Sequence, residues 1–153
     1  MPVDVVVTTT IARTRAVVST FAADPTHAPE WYANIRSVTW KTPPPAVIGS
    51  RMEFEARFLG QRLVYTYEIV ELLPGERLVM RTTDGPFPME TTYTWEPSDA
   101  GTLMSLRNRG EPSGFARVAA PVMDRAIRRE TTKDLARLKS LLEGAEGHDT
   151  EGP

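Results

Sequence analysis

The chain has 153 residues, 41% hydrophobic and 25% charged, a composition that suits one folded domain with a sizeable core and excludes a disordered or fibrous chain. A formal net charge of −2 leaves no global positive field of the kind that drives nucleic-acid binding, so nucleic acid is not an expected partner. There is no cysteine, which removes disulfides, thiolate metal sites and a cysteine nucleophile.

Met1 to Arg15 lacks the basic start of a signal peptide, and no run approaches the roughly 20 apolar residues that span a bilayer. The expectation is a cytoplasmic protein with no integral membrane association.

Val3 to Ala12 is rich in β-branched residues and reads as a first strand. Thr14 can cap a short helix carrying Val17, Val18 and Phe21, which Asp24-Pro25 stops, and Pro29 to Asn34 reads as another helical turn or two. Ser37 to Lys41 is a short strand ahead of Pro43-Pro44-Pro45, a run that cannot donate ladder hydrogen bonds.

From Arg51 to Phe58 the residues alternate, with Met52, Phe54, Ala56 and Phe58 on one face and Arg51, Glu53, Glu55 and Arg57 on the other. Gly60-Gln61 can turn the chain into Leu63 to Ile69, where Leu63, Tyr65, Tyr67 and Ile69 share a face. Pro74-Gly75 and Asp84-Gly85-Pro86 are turns before Arg77 to Thr83 and Met89 to Glu96; Thr102 to Arg109 is the last strand. One-sided burial with short turns predicts a seven-stranded antiparallel sheet.

From Phe115 to Glu143 the period becomes helical, with Met123, Ile127, Thr131, Leu135, Leu138 and Leu142 in one stripe. Phe115, Val118, Ala119 and Val122 lie on a rotated face, which predicts a kink or fresh start near Pro121. Residues 144–153 read as a flexible polar tail behind a single domain over 1–143.

Ala23-Asp24-Pro25 with Glu30-Trp31, Ile48-Gly49-Ser50-Arg51, Glu71 to Leu78, and Asp134 to Lys139 with Leu142-Glu143 give the chain its family likeness. It resembles the START-like helix-grip superfamily, in its polyketide cyclase/dehydrase-like branch. The resemblance implies an α+β fold, with a curved seven-stranded antiparallel sheet around a long C-terminal helix and two short helices between the first two strands. It also implies a cavity between sheet and helix, used across the superfamily for lipids, sterols, polyketides or plant metabolites, sometimes with catalysis. These motifs mark a fold rather than a reaction, and no catalytic residue is carried over.

If the patterned strands face the helix, Phe54, Phe58, Tyr65, Tyr67, Met89, Tyr93 and Trp95 line the interior, joined by Asn108, Val122 and Met123. The same positions also suit plain core packing. Asn108 needs a hydrogen-bond partner, with backbone or water favoured over a ligand. Trp31 and Tyr32 are candidates for the cavity mouth, and Tyr65 and Tyr93 for proton donors in a cyclisation or dehydration.

His27 reads as an exposed loop residue rather than an acid or base at the entrance, and His148 falls in the tail, so no metal site is expected. Gly110-Glu111-Pro112-Ser113-Gly114 is a gate or an ordinary connection. The basic residues from Arg117 to Lys139 interleave with Asp124, Glu130, Asp134 and Glu143, giving a solvated face with intrahelical ion pairs.

No phosphate loop, serine elbow or cofactor motif is present. The leading expectation is binding of a small hydrophobic molecule, with a cyclase or dehydratase in the same cavity as the alternative and a protein-interaction or co-chaperone-like module as the third. A homodimer is compatible with all three.

Overall fold

In the computed structural model, which describes residues 3–111 and 120–151, the long helix lies in the concave side of one curled sheet. The sheet contains β1 (Val3–Ile11), β2 (Ile35–Trp40), β3 (Arg51–Phe58), β4 (Gln61–Leu73), β5 (Arg77–Asp84), β6 (Met89–Ser98) and β7 (Gly101–Gly110). Its order is β1-β7-β6-β5-β4-β3-β2, all antiparallel, so β2 to β7 form a meander and β1 closes onto its far end.

Between β1 and β2 lie α1 (Arg15–Ala22), a 3-10 turn at Pro25–His27 and α2 (Ala28–Trp31). Thr14 caps α1 by accepting the Val17 N–H at 3.4 Å, and Asp24 starts the next turn by accepting the Thr26 N–H at 2.9 Å. The hairpin between β3 and β4 turns on Leu59-Gly60, both at positive φ, rather than on Gly60-Gln61; Gln61 already pairs with Phe58. Two register shifts between β4 and β5 leave one extra residue on each strand, Val70 on β4 and Thr83 on β5, and such bulges bend the pair around the helix.

The helix α3 (Ala120–Glu151) buries Met123, Thr131, Leu135, Leu138 and Leu142 against the sheet, the stripe expected from sequence. Each fully buried leucine contributes about 1.5–3 kcal/mol relative to leaving it exposed. The helical backbone continues through Gly144. Pro112, Ser113 and Gly114 of the suggested gate, the apolar positions Phe115, Val118 and Ala119, and the His148 side chain lie outside the described residues, as does the chain leading up to Pro121.

Lys139 donates to the Thr10 carbonyl at 2.6 Å and Arg137 to the Glu30 carbonyl at 2.6 Å, tying α3 to β1 and α2. Among the described residues no helix is long and apolar enough to cross a membrane.

A candidate ligand cavity between sheet and helix

The inner face of the sheet and the buried stripe of α3 do not fill the space between them. A cavity of about 170 Å³ remains, with Phe54, Tyr65, Tyr67, Met80, Met89 and Met123 among its walls. Phe54 stacks on Tyr65 at 5.6 Å between centroids, and Tyr67 meets both edge-on, at 5.8 and 5.3 Å. Gly85 (φ +153) permits this arrangement, since a Cβ there would approach Tyr65 Cβ to 2.8 Å.

Of the positions read from sequence, Phe54, Phe58, Tyr65, Tyr67, Met89, Tyr93, Asn108 and Met123 line the cavity, and so does Tyr32. Three are placed elsewhere. Trp95 is buried in the core and does not line the cavity. Val122 is 50% exposed, because one residue along a helix is a rotation of about 100° from Met123. Trp31 is fully buried beneath Tyr32 and Tyr93 rather than at a mouth.

The cavity instead runs into a surface hollow between the β3–β4 hairpin and α3, with Asn34, Arg57, Phe58 and Glu130 shared between the two. His27 stays outside, stacked on Phe21 and bonded to Glu30.

Two polar groupings interrupt the apolar lining. In the first, Tyr67 donates to Thr91 Oγ1 at 2.6 Å, Thr91 donates to Asn108 Oδ1 at 2.8 Å, and Asn108 Nδ2 donates to Thr131 Oγ1 at 3.2 Å. Asn108 therefore finds its partners in side chains of β6 and α3. Burial pushes the Tyr67 hydroxyl up to about 12, offset in part by its bond to Thr91.

The second grouping joins three elements. Tyr32 and Tyr93 meet hydroxyl to hydroxyl at 2.5 Å, and Asp134 accepts the Ala33 N–H on Oδ1 at 3.0 Å. Burial holds both phenols far above their ordinary range; the Tyr93 hydroxyl raises Tyr32 further, whereas the bond from Tyr32 lowers Tyr93 in part, and the Asp134 charge adds a smaller upward push to both. One hydroxyl of the pair donates to the other, so one proton remains to be offered. The Tyr65 hydroxyl, also raised by burial, has no hydrogen-bond partner among the described residues.

Asp134 was read as part of a solvated helix face; it is 4% exposed and lines the cavity. Burial raises its carboxyl to about 7, against the lowering effect of the Ala33 N–H, and Oδ2 takes no hydrogen bond among the described residues. Its place one turn beyond Thr131 and next to Leu135, on the edge of the apolar stripe, was the available signal. Among the described residues no group of acidic or histidine side chains is arranged to hold a metal ion.

The sequence model of the family described as "Polyketide cyclase / dehydrase and lipid transport" matches residues 2–143. The chain belongs to this family. The expected helix-grip fold is shared with solved structures. The Zhui aromatase/cyclase from Streptomyces sp. R1128 aligns at TM-score 0.77 and 15% identity over 95% of this chain and 96% of its own. A START superfamily protein from Mycobacterium smegmatis aligns at 0.67 and 17%, over 94% of each chain. Protein CV1439 from Chromobacterium violaceum aligns at 0.67 and 23%, over 92% of this chain and 97% of that one. No curated protein matches the chain. At these identities the structural likeness concerns the fold, and a role for the cavity has to be argued from its own residues.

Proposed function

We propose that this family member binds a small, ring-bearing, oxygenated molecule in the cavity between sheet and α3. The observation that carries the reading is an apolar, aromatic-walled space of about 170 Å³ that contains unengaged hydrogen-bonding groups, the Tyr65 hydroxyl and Asp134 Oδ2. An apolar cavity of about 150 Å³ is large enough to take up benzene, so the space suits one substituted ring. Stacked and edge-on aromatic walls favour a flat occupant, and the free phenol protons favour one that carries a carbonyl or hydroxyl. A hollow interior also speaks for ligand binding over a role confined to the protein surface.

Titration calorimetry with 4-propylphenol tests this. The wild type is expected to bind at a Kd below about 1 mM, and Met89→Trp, which fills the cavity from its wall, to lose binding while remaining folded. Equal binding by the two proteins would place the ligand elsewhere.

A second reading, cyclisation or dehydration chemistry, is favoured by Asp134. A carboxylate that titrates near 7 beside buried phenols can take a proton from a carbon next to a carbonyl, while a phenol O–H stabilises the enolate oxygen. Deuterium uptake at the α-carbon of phenylacetone, followed by NMR, reads this directly. Acceleration by the wild type that Asp134→Asn abolishes supports the chemistry, and no acceleration leaves binding alone.

A further inference from the structure

The hollow into which the cavity opens has an unusual charge arrangement. Its walls are Asn34, Arg57, Phe58, Leu59, Gly60, Ala126, Arg129 and Glu130. Most arginines on the sheet are matched to acids: Arg51 to Glu68, Arg62 to Glu55, Arg77 to Glu71, Arg81 and Arg109 to Glu90, and Arg107 to Asp4. Arg57 and Arg129 make no ion pair among the described residues.

Arg57 also stands directly opposite Arg62 in the β3–β4 register, a like-charge cross-strand pair that costs stability. Glu55 is engaged by Arg62 through two hydrogen bonds at 3.0 and 3.2 Å, which leaves Arg57 only a weaker, longer-range attraction to it. The one acid in the hollow, Glu130, faces Lys133 at 4.0 Å. The local balance is therefore positive.

The apolar side of the hollow is equally deliberate. Leu59 is held at φ 51 and is 47% exposed, although a branched side chain in the left-handed region costs about 1–2 kcal/mol that asparagine or glycine would largely avoid. Backbone strain of this kind is a pointer to function. A rim that combines an exposed leucine and Phe58 with two free guanidiniums matches a molecule with an apolar body and an anionic end.

We propose that the hollow binds the carboxylate of an apolar, ring-bearing acid whose ring occupies the cavity, with Arg57 and Arg129 as its partners. This rests on the cavity reading above. The planar guanidinium fork suits a carboxylate, and each arginine at an exposed site adds only modest affinity, so the pair together should give about a five- to tenfold preference for the charged ligand.

The test compares 3-phenylpropanoate with 3-phenylpropanamide, which share a ring and differ in charge, by titration at pH 8 and low salt. The wild type should prefer the carboxylate by that factor. The double variant Arg57→Gln/Arg129→Gln, both changes being at exposed positions, should bind the two probes equally. Binding of both probes with no preference, or a preference that survives the double variant, overturns the anionic mouth and leaves the cavity reading intact. Failure of folded wild type to bind either probe contradicts the cavity reading and this proposal together.

Discussion

The carboxylate of Asp134, on the long helix, accepts the backbone N–H of Ala33 at 3.0 Å across 101 positions of sequence. The bond fixes the segment that carries Tyr32 over the cavity, where its hydroxyl reaches Tyr93 on β6. One buried acid thereby links the helix, the α2–β2 connection and the aromatic wall.

That acid sets a pH dependence. The folded carboxyl titrates near 7 and the unfolded one near 3.8, so between these values the folded state binds more protons and stability falls as pH rises. Below pH 3.8 the contribution vanishes, and above 7 it is complete, at most roughly 4 kcal/mol. Asp134→Asn keeps an acceptor for Ala33 and should therefore be more stable than wild type at pH 8, with the gap closing toward pH 4. Urea unfolding at the two pH values checks the sign.

The phenol pair should behave as a unit. Tyr93→Phe leaves the Tyr32 hydroxyl buried without its partner and is expected to cost about 1–3 kcal/mol. Adding Tyr32→Phe should then cost less than it does alone, because the orphaned hydroxyl is gone. A double-mutant cycle in denaturant reads the coupling; strict additivity would mean that the bond contributes nothing.

The relay from Tyr67 to Thr131 predicts a different pattern. Asn108→Leu preserves volume but removes at once the acceptor of the Thr91 hydroxyl and the donor to Thr131, for an expected loss of about 1–3 kcal/mol. Thr131→Val removes only the last link and should cost about 1 kcal/mol or less. Equal losses would show that the links are not coupled.

At the hairpin tip, Leu59→Asn should stabilise the protein by about 1 kcal/mol, since asparagine tolerates the left-handed conformation that Leu59-Gly60 imposes. Thermal unfolding measures it. If the rim serves binding, the same change should weaken 3-phenylpropanamide.

The fold was legible because alternation is a one-dimensional signal. Met52, Phe54 and Ala56 go inward in β3 as their spacing requires, and the stripe from Met123 to Leu142 does so in α3. Alternation says which face a residue takes, but not how far along the strand the cavity extends. Tyr93 and Trp95 share a face, yet of the two only Tyr93 lines the cavity. Asp134 was missed for a related reason: composition marks an aspartate on a helix as solvated, whereas its burial depends on the Ala33 N–H, a partner supplied by distant sequence. The mouth at Arg57 and Arg129 arises only when the hairpin is set against the helix.

Methyl NMR during titration with 4-propylphenol reads occupancy of the cavity at its walls, because methionine and isoleucine methyls line it. Ligand binding in the cavity predicts saturable shifts at Met80, Met89, Met123 and Ile127, and none at the exposed Ile48. Absence of saturable shifts at the four cavity methyls, or shifts confined to surface positions such as Ile48, would contradict it.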